Sequence, residues 1–219
     1  MSNKKGFIFD LDGVIVDTAQ YHYLAWKELA DSLGISFSEV ENEQLKGVSR
    51  IRSLEKILEM GNMTLAQDEF DRLITNKNAD YLSYVEGMTR EEILADVPRV
   101  LRFLSENGQR LALGSASKNA RTILGKVGLM DQFDTIVDGT QVSKAKPDPE
   151  VFIRAAKELH VPAERCIVFE DALAGIQAAN NAGMLSIGIG DPTVLREAAF
   201  VFSDFTKISN EFLNELIQA

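Results

Sequence analysis

The chain of 219 residues contains one cysteine, Cys166. A lone thiol forms no internal disulfide, and beside the apolar run Ile167-Val168-Phe169 it reads as a buried, reduced thiol of a cytosolic protein, not as part of a metal cluster. Positive charge is also in deficit: 23 Lys and Arg stand against 33 Asp and Glu, a formal net charge of −10. A field of that sign repels phosphate polymers and anionic membranes, so neither nucleic acid nor a membrane surface is an expected partner. Any small phosphate substrate must therefore meet Lys and Arg gathered locally. No apolar run approaches the roughly 20 residues of a membrane-spanning helix. The run that follows the lysines in MSNKKGFIFD is too short for a secretory leader and lacks a small-residue cleavage site. Repeats and low-complexity runs are missing. What remains is 45% hydrophobic and 26% charged, ordinary globular chain with enough length for one large core and a smaller attached unit. The default expectation is a cytoplasmic monomer.

Short β-branched or aromatic runs at 6–9, 111–114, 135–137, 166–169, 185–189 and 200–202 alternate with helical patterns. That alternation predicts an α/β fold with a doubly wound, Rossmann-like parallel sheet. One helix start is explicit after Lys146: Asp148 can cap it, Pro149 suits its first position, and Val151, Phe152, Ala155, Ala156 and Leu159 make its apolar face. Between about 18 and 88 the alternation stops. There Tyr21, Leu24, Ala25 and Leu29 form one helical stripe ended by Gly34, and Leu54, Ile57 and Leu58 form another ended by Gly61. The expectation is an α-helical domain, 18–88, inserted into an α/β core formed by 1–17 and 89–219, with linkers near 15–19 and 84–89. A closing amphipathic helix is expected over 211–219.

Four features fall at the C-terminal ends of separate predicted strands, where the ligand crevice of an open parallel sheet lies. They are Asp10-Leu11-Asp12 in FIFDLDGVIVDT, Ser115 opening SASKN, Lys146 in KAKPDP, and Glu170-Asp171 running into AGIQAANNAG. Strand periodicity turns Asp10 and Asp12 to one side and Leu11 to the other, so the two charges repel unless a metal, a lysine or a shared proton lies close. Alone, the D-x-D reads as a solvated strand end, and Glu170-Asp171 as an acidic pair favouring the start of the next helix. Together the four have a chemical logic. An aspartate can attack phosphorus when metal and lysine neutralise the approaching anions. Asp10 is then the nucleophile and Asp12 the acid and base. Asp10, Asp171 and the backbone carbonyl of Asp12 suit Mg²⁺, with Glu170 completing or orienting the sphere. Ser115 and Lys146 hold the transferring phosphoryl oxygens.

The motifs DLDGVIVDT, GSASKN, KPDP and the Glu-Asp pair with its AGIQAA resemble the haloacid dehalogenase superfamily, in its branch with a helical cap. The resemblance covers nearly the whole chain. The segment LKGVSRIRSLEKIL, with DTAQYHYLAW and SASKN, is similar to the sugar-phosphate mutases of that branch. It implies Asp10 as nucleophile, Asp12 as acid and base, and Asp10, Asp12, Glu170 and Asp171 around Mg²⁺. It places Ser115 and Lys146 on the proximal phosphate, Arg50, Ser117, Lys118 and Asn119 on the distal one, and Ala116 beside them. His22, Trp26, Lys46, Gly47, Ser53 and Lys77 would line the cap side. Without the resemblance, His22 reads as a surface histidine, Trp26 as core, and Arg50 and Lys77 as solvated charges. One departure is Pro98-Arg99, where the family has proline-glycine. The implied activity is transfer of phosphate between C1 and C6 of a hexose through a bisphosphate. Hydrolysis of a small sugar phosphate is the alternative. A non-enzymatic phosphoacceptor of the receiver type is a third reading, although it needs no inserted helices. The motifs leave the sugar open.

Overall fold

Strand β1 (Gly6–Phe9) is buried along its whole length. It lies between β2 (Arg110–Gly114) and β4 (Cys166–Glu170), parallel to both, and a strand covered on both faces must be apolar at every position. Beyond β2 lies β3 (Thr135–Val137), and beyond β4 lie β5 (Leu185–Ile189) and β6 (Phe200–Phe202). The resulting sheet is wholly parallel, in the order β3-β2-β1-β4-β5-β6. The order reverses beside β1, so the crevice expected of such a sheet opens at the end of that strand. The computed structural model describes residues 4–46 and 48–219.

Side chains alternate across the sheet as the pleat requires. Phe7, Phe9 and Leu11 enter one apolar cluster with α5 (Val97–Glu106), α6 (Ala120–Val127) and α9 (Asn210–Gln218). Ile8 enters the other, with α7 (Glu150–Leu159) and α8 (Leu173–Asn181). Phe9 stacks on Phe169 with centroids 4.7 Å apart, which locks β1 to β4 just before their acidic ends.

Among the described residues four α-helices stand between β1 and α5: α1 (Ala19–Ser32), α2 (Glu39–Glu43), α3 (Arg50–Met60) and α4 (Gln67–Glu86). They enclose a core of their own from Trp26, Leu29, Ala30, Ile35, Phe37, Leu45, Leu54, Ile57 and Leu58. Ala25, Tyr81 and Val85 join the main core instead.

Four local expectations need correction. Leu24 is exposed, because the buried face of α1 runs through Ala25, Trp26, Leu29 and Ala30, and Leu24 falls off that stripe. Helix α7 begins at Glu150 with Pro149 as its cap residue, and Asp148 acts one position earlier, its Oδ1 accepting the Glu150 N–H at 3.0 Å. Residues 84–86 are the last turn of α4, not linker. Strand β2 begins at Arg110 and β4 continues to Glu170, one residue beyond each expected limit. The Pro98-Arg99 departure has a structural consequence. The Arg99 guanidinium donates to Asp96, Asn210 and the carbonyls of Phe205 and Ile208, tying α5 to the C-terminal segment.

Candidate active site

The ladder between β1 and β4 continues one step past β1, with the Asp10 N–H donating to the Phe169 carbonyl at 3.0 Å. That bond fixes Asp10 beside Glu170. Lys146, just before α7, answers both: its ammonium donates to Asp10 Oδ1 at 2.6 Å and to Glu170 Oε1. Burial alone would strip the Lys146 proton, but Asp10 and Glu170 outweigh that cost and hold the group charged, above the usual lysine range. Carboxylate oxygens of Asp10, Glu170 and Asp171 all lie within 4.8 Å of one another. Burial, then the charge of Asp10, raises Glu170 to about 7 against the pull of Lys146, while burial followed by Glu170 and Asp10 lifts Asp171 well above its ordinary range. Three crowded carboxylates held this close suit a divalent cation of the Mg²⁺ type, whose oxygen ligands at about 2.0–2.1 Å span a cage of similar size. Two glycines permit the crowding. A Cβ on Gly13, whose φ is +78°, would strike the Asp171 carboxylate, and one on Gly175 would strike that of Glu170.

Asp12 stands apart from this group. Its Oδ1 accepts a hydrogen bond from the buried Thr18 hydroxyl, and its carboxylate is not among the three that converge. Burial and the neighbouring Asp10 charge push it up to about 6, against the Thr18 bond. A carboxyl group poised there can hold or release a proton near neutral pH. Ser115 follows β2, is buried, and accepts the Ser117 N–H at 3.1 Å; the Ser117 hydroxyl in turn accepts the Asn119 N–H at 3.2 Å. The SASKN turn is thus held by its own serines.

The inserted helices supply the opposite wall. Lys77 is 2% exposed, with its ammonium 4.5 Å from the Trp26 ring centroid and 4.8 Å from that of Tyr81. Its Nζ lies 3.1 Å from His22 Nδ1; a charged Lys77 can only donate there, which would place the imidazole proton on Nε2. Burial, then Arg50, lowers Lys77 to about 7; burial, Lys77 and Arg50 keep His22 neutral, well below its usual range. Among the described residues neither Arg50 nor Lys118 has a carboxylate within ion-pair distance. Lys46 pairs with Glu43 at 2.9 Å and reaches to 3.9 Å from Asp171, and Asn119 Nδ2 donates to Asn78 Oδ1 at 2.9 Å. The contacts of Lys46 with Asp171 and of Asn119 with Asn78 cross between the insertion and the sheet edge.

One cavity of about 390 Å³ runs between the two walls. It brings together Asp10, Asp12, Ser115, Lys146 and Asp171 with His22, Trp26, Lys46, Arg50, Ser53, Lys77, Ala116, Ser117, Lys118 and Asn119. Glu170 lies behind it, bound to Lys146 and to the Ala172 N–H. Gly47 lies outside the described residues. Sequence reasoning passed over Thr18, Asn42, Asn78 and Tyr81. Only Thr18 belongs to one of the four strand-end motifs; nothing local marks Asn42 and Tyr81 as cavity residues, or Asn78 as the partner of Asn119.

A sheet of this order with an acidic nest at the end of β1 and a helical insertion closing over it defines a class. Residues 4–183 match the pattern of the haloacid dehalogenase-like hydrolases, and the chain belongs to that family. Within it, the β-phosphoglucomutase of Bacillus subtilis is 41% identical over 213 residues, covering 96% of this chain and 94% of that one. The crystal structure of β-phosphoglucomutase from Clostridium difficile superposes with a TM-score of 0.94 at 41% identity, over 98% of this chain and 97% of the other. A fructose-1-phosphate phosphatase of Escherichia coli is 32% identical over 84% of this chain and 95% of its own length.

Proposed function

We propose that the chain catalyses the β-phosphoglucomutase reaction, interconverting β-glucose 1-phosphate and glucose 6-phosphate through a 1,6-bisphosphate. The observation that carries this reading is a cavity with two anion-accepting ends: Lys146 and Ser115 beside Asp10, and Arg50 and Lys118 elsewhere on its wall. A bisphosphate has two charged ends; a simple phosphomonoester needs one. The near-full-length similarity to β-phosphoglucomutases supports the same reading.

In this reading, 18–88 act as a cap domain over the core of 1–17 and 89–219. An oxygen of Asp10 bonds to phosphorus while the bond from phosphorus to the departing sugar oxygen breaks, and Asp12 gives that oxygen its proton. In the second half-reaction Asp12 removes the proton from the other hydroxyl, whose oxygen takes the phosphoryl group from Asp10. Ser115 and Lys146 hold the oxygens of the group in flight. Arg50, Ser117, Lys118 and Asn119 hold the distal phosphate, with His22, Trp26, Lys46, Ser53, Lys77 and Ala116 lining the sugar's path. Asp10, Glu170, Asp171 and the backbone carbonyl of Asp12 would hold Mg²⁺, which neutralises charge on the transferring phosphate when bound. The chain works as a cytoplasmic monomer, every working group coming from one chain; among the described residues no helix is long and apolar enough to cross a membrane.

Hydrolysis of a sugar phosphate is the second reading, supported by the similarity to a fructose-1-phosphate phosphatase. The two differ in whether water or a sugar hydroxyl meets the aspartyl phosphate. Purified protein given β-glucose 1-phosphate, Mg²⁺ and a trace of bisphosphate should form glucose 6-phosphate with little free phosphate. Phosphate release matching substrate loss, with no glucose 6-phosphate, would establish the second reading instead.

A further inference from the structure

Helix α2 is built the wrong way round for burial alone. Its apolar Val40 is 71% exposed, whereas its amide residue Asn42 is 7% exposed and lines the central cavity. The backbone fixes this position: Ser38 and Glu41 form a reciprocal cap at the helix start, the Asn42 N–H donates to the Ser38 carbonyl, and its own carbonyl accepts the Leu45 N–H at 2.9 Å. Leu45 anchors the turn in the insertion's core. Yet the Asn42 side chain makes no hydrogen bond among the described residues. Among the described residues that amide is not one of the fully enclosed polar groups without a partner, so it opens on the cavity, where its donors and acceptor are available to a ligand.

We propose that Asn42 is a specificity residue that hydrogen-bonds a hydroxyl of the hexose ring. This inference rests on the sugar-phosphate reading above. Lys146, Arg50 and Lys118 suit the phosphates; along the sugar's path a charged Lys46 or Lys77 can only donate, leaving a ring hydroxyl that must also donate to a group that can accept. An amide offers two donors and an acceptor with two lone pairs, and a hydroxyl both donates and accepts. That pairing tolerates reversal of the bisphosphate, since either orientation can present a hydroxyl to the same amide. A lysine or carboxylate at this position would have only one hydrogen-bonding role.

The test is a cycle between protein and substrate. Initial rates are measured for wild type, Asn42→Ala and Asn42→Ser on β-glucose 1-phosphate and on its 2-, 3- and 4-deoxy analogues, with circular dichroism as the control on folding. Asn42→Ala should lower kcat/KM on the parent sugar by about tenfold or more, the size expected for losing one partner of a buried hydrogen bond. On one deoxy analogue, already poor with wild type, it should cause no further loss, and Asn42→Ser should lie between. An equal factor on every analogue, or an unchanged rate on the parent, overturns the proposal. Loss of fold in both variants would also overturn it, making Asn42 a structural residue. If wild type releases phosphate and forms no glucose 6-phosphate, the mutase reading fails separately, and the same cycle run on phosphate release still decides the role of Asn42.

Discussion

The sheet end of the cavity and the helical end carry opposite kinds of charge, and they are satisfied to different degrees. At the sheet end, Lys146 is shared by Asp10 and Glu170, and three carboxylates converge. At the helical end, Arg50 and Lys77 sit together with aromatic rings and a neutral imidazole for company, and no carboxylate pairs with either among the described residues. One end is a set of acids arranged around a cation. The other sets Arg50 and Lys77 close together with no acid paired to either among the described residues. Chemistry on any phosphate needs only the first end. Discrimination among phosphates needs the second, so the two ends should fail differently when broken.

The largest effect belongs to the sheet end. Asp10→Asn is nearly isosteric but cannot form an acyl phosphate, and turnover should fall by on the order of 10⁴-fold or more. Intact-mass measurement after incubation with bisphosphate and Mg²⁺ should show one added phosphoryl group on wild type and none on the variant. Phosphorylation of the variant would move the nucleophile elsewhere. Asp12→Ala should come next, slowing transfer to sugars by about 10²–10⁴-fold, as for loss of a placed proton donor. Its Mg²⁺ affinity should hardly change, because its carboxylate is bonded to Thr18 and stands outside the acidic group. A titration by calorimetry in which metal binding collapses would make the Asp12 side chain a ligand.

These two ends were also unequally legible in the sequence. The sheet end is written in short motifs because a buried parallel strand must be apolar throughout, so the charged residue that terminates FIF or CIVF stands out. Four of six strands have the expected limits, and the other two differ by one residue. Helix patterns mark burial less sharply. Tyr21, Leu24, Ala25 and Leu29 looked like one stripe, but the true face is rotated toward Trp26 and Ala30, leaving Leu24 in solvent. Lys77 and His22 read as surface residues on their own helices, since nothing in a 3.6-residue period reveals that a second unit packs across the polar face. The departure at Arg99 was visible, but its partners in the C-terminal segment lie more than 100 residues away.

Arg50→Ala tests the helical end directly and should have an intermediate effect. Its guanidinium is half-buried with no carboxylate partner among the described residues, a geometry suited to two-pronged contact with phosphate oxygens. Isomerisation should drop by about 10²-fold, the scale of a lost positioning contact. Hydrolysis of acetyl phosphate, which has no distal phosphate, should change far less on the same preparation at matched Mg²⁺. Equal loss of both rates would erase the distinction between the two ends. An unchanged mutase rate would make Arg50 a bystander and bring the phosphatase reading forward.

The smallest expected effect is on stability, and it asks whether the helical end is held in readiness at a cost. Lys77 is pushed down to about 7 by burial and by Arg50, from 10.5 in the unfolded chain. Between those values the unfolded chain binds the extra proton, so this group makes stability rise with pH from 7 toward 10.5. Below pH 7 both states are charged and the full cost of the buried ammonium remains. Lys77→Met keeps the apolar stem and removes the charge, so it should stabilise the free protein at pH 6 by about 1–2 kcal/mol, in line with functional groups held against stability. The gain should shrink as pH approaches about 10, where wild type has already released the proton. Urea unfolding of both proteins at about pH 6 and about pH 9.5 measures it. A bisphosphate ligand should reverse the order, because an anion in the cavity restores the value of the charge and ligand binding adds to the stability of wild type first. A gain independent of pH would mean that Lys77 is merely poorly packed. A loss at the lower pH would mean that its contacts with Trp26, Tyr81 and His22 already satisfy the ammonium, and that the helical end is as complete without ligand as the sheet end.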